Sequence, residues 1–202
     1  MGISMQDSRL AELAAMIEAW PGLVSGPAPE LIADSLVLAD HLGGARRLVD
    51  VGSGGGLPGL PLKIAHPDLE VTLIEADQSK AAFLVQAAAR LGLRGVEVVG
   101  QDSRYRESFD VAVARALAPL PTLVELCLPL VMVGGRLLAQ KTDREDAARA
   151  ERAIGVLGGL LEPALPAPSA ARGSGIVVTV RKVKPTPAAY PRRPGVPARK
   201  PL

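Results

Sequence analysis

Five glycines and two prolines follow an aspartate in the stretch Leu48–Leu62, LVDVGSGGGLPGLPL. Glycine lets a chain turn sharply and lie against a ligand with no side chain between them. Asp50 to Gly56 has the spacing D-x-G-x-G-x-G, a loop used around S-adenosylmethionine. Gly54 to Gly59 has the spacing G-x-G-x-x-G, which cradles the pyrophosphate of a dinucleotide. Pyrophosphate is an anion and seeks a helix N-terminus clear of carboxylates. S-adenosylmethionine carries an ammonium and a sulfonium, so a carboxylate at Asp50 favours it. Asp50, Gly52, Ser53, Gly54, Gly56 and Leu57 are therefore cofactor-binding candidates. Glu75, about twenty residues further on, is spaced to accept the hydroxyls of an adenosine ribose, which both ligands share.

Other chemistries have little to stand on. The chain has one cysteine, Cys127, in an apolar stretch that reads as core, and two histidines, His41 and His66, with no metal-ligand spacing. No Ser-His-Asp or paired-carboxylate arrangement is apparent, and no catalytic acid or base is named. No apolar run reaches the ~18 residues of a membrane span. All 21 acidic residues lie at or before Glu162, whereas residues 163–202 carry eight Lys and Arg. A mildly acidic body with a basic end suits a polyanionic partner, or a merely solubilising tail.

The elements that must position the loop alternate. Apolar spacing predicts helices over Gln6–Ala19 and about Pro29–Leu42. RLVDV is a buried strand, followed by the glycine loop and a helix over GLPLKIA. EVTLIEA is a second strand, and a helix capped by Asp77 closes near Gly92. VEVVG, FDVAVAR, GRLLAQ and GIVVTVRKV read as further strands, with helices over PLPTLVELCLPLVM and DREDAARAERAIGVLGGL between the later ones. Such alternation predicts an α/β fold with helices on both faces of one sheet. Six prolines after Lys184 predict an extended, unpacked tail. The expected organisation is an N-terminal helical extension (1–45), a cofactor-binding domain (46–184) and a basic Pro-rich tail (185–202).

The chain resembles the RsmG/GidB family. The matching text is ADSL at Ala33–Leu36, LVDVGSGGGLPGLPLKI, ARALAPL at Ala114–Leu120, GGRLLAQK, and the terminal YPRRPGVPARKPL. The resemblance implies a class I S-adenosylmethionine-dependent methyltransferase fold, Rossmann-like, with a mostly parallel seven-stranded sheet. It implies methyl transfer to guanine N7 in small-subunit (16S) ribosomal RNA. The single cysteine fits a reducing cytoplasm, the lack of a membrane span argues against a membrane partner, and a monomer is the default expectation. By the same resemblance Gly52, Leu57, Arg115 and the segment Asp102, Ser103 and Arg104 touch the cofactor. A guanidinium at Arg115 could pair with the methionine carboxylate through two bonds.

N7 has an in-plane lone pair and needs no base to free it. Paired A-form RNA hides it in a deep groove, so the target must be a loop or an extruded nucleotide. Asp34, Tyr105, Lys141, Tyr190, Arg192, Arg193, Arg199 and Lys200 are the RNA-facing candidates. The tail is expected to recruit RNA independently of the glycine loop. A methyltransferase of a small molecule or protein, or an NAD-dependent oxidoreductase, are the competing readings.

Overall fold

The computed structural model describes residues 7–100, 105–115, 117–143, 145 and 147–202. Two helices, α1 (Ser8–Ala19) and α2 (Ala28–Leu36), precede the sheet. The Asp7 carboxylate accepts the N–H of Arg9 at 2.9 Å and caps α1. Then β1 (Arg47–Val51), α3 (Gly59–Ala65), β2 (Glu70–Ile74), α4 (Gln78–Arg90) and β3 (Val96–Val99) form two parallel crossover units. Next come β4 (Phe109–Arg115), α5 (Leu120–Cys127), β5 (Val131–Thr142), α6 (Glu151–Val156), β6 (Gly159–Leu161), β7 (Leu165–Pro166), β8 (Gly175–Lys182) and α7 (Val196–Arg199).

The strands run in the order β3-β2-β1-β4-β5-β8-β6, with the two-residue β7 beside β8. The first five are parallel, and β8 runs antiparallel between β5 and β6. The seven-stranded, mostly parallel sheet is thus present, with β7 added at its margin. The order in which strands are added reverses between the parallel neighbours β1 and β4, which opens a crevice at their carboxyl ends.

Both sheet faces are covered, and this is why β1 is buried continuously from Leu48 to Val51 rather than at alternate positions. Leu48, Val111 and Val113 pack with α1, α2, α3 and α4 on one face. Val49, Val51, Ala112 and Ala114 pack with α5 and α6 on the other. The N-terminal helices belong to the first of these cores, where Leu13, Ile17, Ile32 and Leu38 are all buried.

Several elements differ from expectation for local reasons. The second helix stops at Leu36, and Ala39–His41 continues as a single 3-10 turn. Pro129 ends the α5 region, because a proline lacks the N–H that a further helical turn requires. The expected helix over 143–160 shrinks to α6, and Gly158 (φ +81°) turns the chain into β6. A Cβ on Gly158 would sit 2.2 Å from the Lys184 carbonyl oxygen, so the tail passes directly over this glycine.

The tail itself is the largest correction. It packs back on the domain: Thr186 and Pro197 are buried, and Tyr190 and Leu202 lie against the core on the α5 face. No helix among the described residues is long and apolar enough to cross a membrane.

Candidate active site

The crevice at the switch point holds a cavity of about 950 Å³. Val51, Gly52 and Gly54 line it from the end of β1 and its loop; Ile74, Glu75 and Ala76 line it from the end of β2. Arg115 and Leu117 come from the end of β4, and Lys80 from the first turn of α4.

The loop is built from its own main chain. Gly52, Gly54 and Gly56 all have left-handed φ values, +74°, +54° and +79°. They serve different purposes. A Cβ on Gly56 would meet Leu60 at 2.4 Å, so this glycine lets the loop pack on α3. A Cβ on Gly52 would meet Leu117 at 2.4 Å, a flexible side chain at the cavity. A Cβ on Gly54 meets no protein atom closer than 3.8 Å and has cavity space before it.

Glu75 is aimed by two backbone donors. Its Oε2 accepts the Gly54 N–H at 2.8 Å, and its Oε1 accepts the Asp77 N–H at 2.8 Å. Each carboxylate oxygen keeps a lone pair for a hydroxyl donor. Arg115 is half-buried, and its Nε has no hydrogen-bond partner among the described residues. Burial holds this guanidinium below the usual arginine range, against the pull of Asp34 and Asp50. An under-partnered guanidinium in a cleft is a site for a planar anion such as a carboxylate.

Asp50 stands elsewhere than expected. It does not line the cavity; it is buried behind the loop, and its Oδ2 accepts the Gly59 N–H at 2.8 Å. A Cβ on Gly59 would reach that oxygen at 2.8 Å, which explains the glycine. Burial pushes the Asp50 carboxyl up to about 7, with the Gly59 bond and Arg115 opposing. The carboxylate thereby occupies the start of α3 that the dinucleotide fingerprint would offer to pyrophosphate. Pro61 falls in the first turn of the same helix, where a missing N–H costs nothing.

Ser53, Gly56 and Leu57 also lie off the cavity. Ser53 is buried and donates its hydroxyl to the Asp50 carbonyl at 2.9 Å, and Leu57 is part of the core. Asp102, Ser103 and Arg104 lie outside the described residues.

The RNA-facing candidates divide sharply. Asp34 is fully buried: Oδ1 accepts the Arg172 Nε–H at 2.7 Å and the Ser169 hydroxyl at 2.6 Å. It cannot meet an RNA, because α2 and the Arg172 segment enclose it. Lys141 is nearly buried, donates to the Ala118 carbonyl and lies 3.4 Å from Glu145. Tyr105 packs its ring on Phe109 at 5.7 Å and donates its hydroxyl to Glu97 at 2.7 Å, so that face is not free for stacking. Arg192 is engaged by the buried Glu125. Tyr190, Arg192 and Arg193 do line the cavity, whereas Arg199 and Lys200 are exposed beyond it.

Cavity residues that no motif pointed to include Leu23, Lys80 and Arg106. Lys80 had a legible cue, since it opens a helix directly after the β2 carboxyl end. Leu23 had none: it comes from the turn between α1 and α2. Cys127 is buried, and burial pushes its thiol up, which removes it as a nucleophile.

The residues present fit S-adenosylmethionine. About 950 Å³ falls within the ~300–1,000 Å³ of ligand pockets. The cavity offers a carboxylate for ribose hydroxyls, a guanidinium for a carboxylate and a bare glycine wall between them.

Residues 28–161 match the family described as GidB, rRNA small subunit methyltransferase G. The chain is 49% identical over 165 residues to ribosomal RNA small subunit methyltransferase G of Roseiflexus castenholzii, covering 77% of this chain and 70% of that one. It is 42% identical to the protein of the same description from Roseiflexus sp. strain RS-1, covering 98% and 92%. Among solved structures, a SAM-dependent methyltransferase from Aquifex aeolicus superposes with a TM-score of 0.61 at 16% identity, over 84% of this chain and 98% of that one. Geranyl diphosphate methyltransferase in complex with SAM gives 0.57 at 16% identity, over 75% and 85%. The two structural likenesses speak for the fold.

Proposed function

The chain belongs to the rRNA small subunit methyltransferase G family, and from that premise we propose that it methylates N7 of a guanine in small-subunit ribosomal RNA, with S-adenosylmethionine as donor. The observation that carries the reading is the pairing, in one glycine-walled cleft, of an oriented Glu75 with an under-partnered Arg115.

S-adenosylmethionine supplies a methyl group on a positively charged sulfur. Glu75 accepts the ribose hydroxyls, held in place by the N–H groups of Gly54 and Asp77. Arg115 binds the amino-acid carboxylate, a charge-assisted contact strengthened by its half-buried setting. Gly52 and Gly54 let the backbone approach closely, and Asp50 holds the loop's far end to α3. Asp102, Ser103 and Arg104 remain the proposed adenine-side contacts.

No proton has to leave N7 before transfer, so no base is required. Among the described residues the cavity lining contains no histidine and no cysteine. What the protein contributes is placement, which can lower such a barrier by up to about 7–11 kcal/mol. Arg193, Arg199 and Lys200 are the tail cations left for RNA phosphates once Arg192 is committed to Glu125. Three contacts to single-stranded backbone give a slope of about −2 for log K against log salt. In this reading residues 1–45 extend the core, 46–184 form the methyltransferase domain and 185–202 face the RNA. The enzyme acts as a monomer in the cytoplasm, where ribosomal RNA is found.

The test is transfer of labelled methyl from S-adenosylmethionine to small-subunit ribosomal RNA, followed by reduction and aniline scission, which cuts at N7-methylguanosine. One cut is expected. Label on another atom, or none, overturns the assignment.

A further inference from the structure

The cavity has a second wall, made by the tail. Ala188, Tyr190, Pro191, Arg192, Arg193 and Pro194 share it with the glycine loop, Glu75 and Arg115. Prolines and exposed cations do not hold a strap in place by themselves, and the structure shows what does.

Anchoring begins where β8 ends. Val183 and Lys184 donate their N–H groups to the Gly158 carbonyl at 2.8 and 2.9 Å. The buried Lys182 donates to the Leu128 carbonyl at 2.8 Å and to the Thr186 hydroxyl at 2.5 Å. Glu107 accepts the Thr186 N–H at 2.7 Å and lies 3.3 Å from Lys182. The Arg106 guanidinium donates to the carbonyls of Thr186, Pro187 and Tyr190.

The last anchor comes from α5. Glu125 has no solvent exposure. Its Oε1 accepts the Arg192 backbone N–H at 3.0 Å and the Nε–H at 2.8 Å, while Oε2 accepts from the terminal nitrogen. Burial alone would push this carboxyl up; the Arg192 bonds outweigh it and hold the group below the usual carboxylate range. Glu125 does not itself line the cavity, although its neighbour Leu126 does.

We propose that Glu125 is a positioning residue for the donor site: it latches Arg192 so that residues 188–194 form a fixed wall of the cleft that the glycine loop lines. Donor affinity then depends on a carboxylate that touches no donor atom. The tail and the donor loop are one site, not two independent ones. The side chain of Arg193, next along the strap, is exposed at the cleft, and no acidic side chain among the described residues pairs with it. The latch therefore also sets where that guanidinium meets the RNA backbone. The inference rests on reading the cavity as the donor site.

Two measurements on the full chain decide it. Calorimetry with S-adenosylmethionine, without RNA, is expected to show about tenfold weaker binding for Glu125→Gln than for the wild type. Trypsin cleavage after Arg192 and Arg199, without ligand, is expected to accelerate about as much. Arg192→Gln, which acts from the strap side and removes its own tryptic site, should reproduce the affinity loss and the faster cleavage after Arg199 if Glu125→Gln folds poorly. A merely structural role would lower the melting temperature and leave the affinity of the folded fraction unchanged; that result overturns the proposal. Unchanged cleavage overturns the latch. A wild type that binds no S-adenosylmethionine overturns the reading of the cleft itself, while the cleavage comparison still decides whether Glu125 holds the strap.

Discussion

The two walls of the cleft are held by opposite means. The glycine wall is local: β1, its loop and β2 lie within about thirty residues, and backbone N–H groups aim the one carboxylate. The tail wall is assembled from a distance, with Arg106, Glu107 and Glu125 reaching a segment up to 84 residues away in sequence. Main-chain geometry makes a surface that a ligand can approach closely. Charged side chains make one whose position depends on each partner remaining in place.

The largest effect should come where the donor meets side-chain charge. Arg115→Leu is expected to weaken S-adenosylmethionine binding by about 100-fold in calorimetry, since a charge-assisted pair contributes roughly 1.5–3 kcal/mol. Gly54→Ala separates ligand from fold on the glycine wall. The protein leaves room for the new Cβ, so stability should fall only by the ~1–2 kcal/mol of a left-handed residue. Donor affinity should fall more than tenfold, and a melt combined with a titration reads both. If affinity survives, the glycine wall does not face the donor.

Glu75→Gln comes next, at about tenfold in donor affinity, because the amide keeps one acceptor and loses the charge. Arg199→Gln, beyond the cleft, should act on RNA alone: donor affinity holds, and the salt slope of RNA binding becomes shallower by about 0.7. The last effect concerns pH. The folded-state value of the Asp50 carboxyl, about 7, lies above its unfolded one. Its contribution to stability is full below about 4 and is lost as pH rises through 7. Relative to Asp50→Asn, the wild type should therefore gain stability as pH drops from 8 to 5 in thermal melts. A constant difference would show that this carboxyl titrates normally.

The same contrast explains what could be read from the sequence. β1, α3, α4 and β8 follow from apolar runs, glycine placement and an aspartate cap, all of which act over a few residues. Glu75 and Arg115 follow from their position at strand ends. Asp50 was misread because an acid before the glycines has two possible neighbours, the ligand or the N–H of Gly59, and spacing does not choose between them. The tail was misread because prolines signal extension but not whether an extended segment docks. Its partners look like ordinary surface charges, with one exception. Glu125 sits among Val124, Leu126 and Cys127 on an apolar helix, and a carboxylate buried there requires a cation. That acid was the legible sign that some distant arginine returns to it.

A crystal structure of the chain with S-adenosylhomocysteine tests the central claim most directly. The ribose hydroxyls should lie on Glu75 and the carboxylate on Arg115, with strap residues 188–194 within van der Waals contact of the ligand. A ligand seated away from Gly52 and Gly54, or a strap displaced from it, would contradict the account.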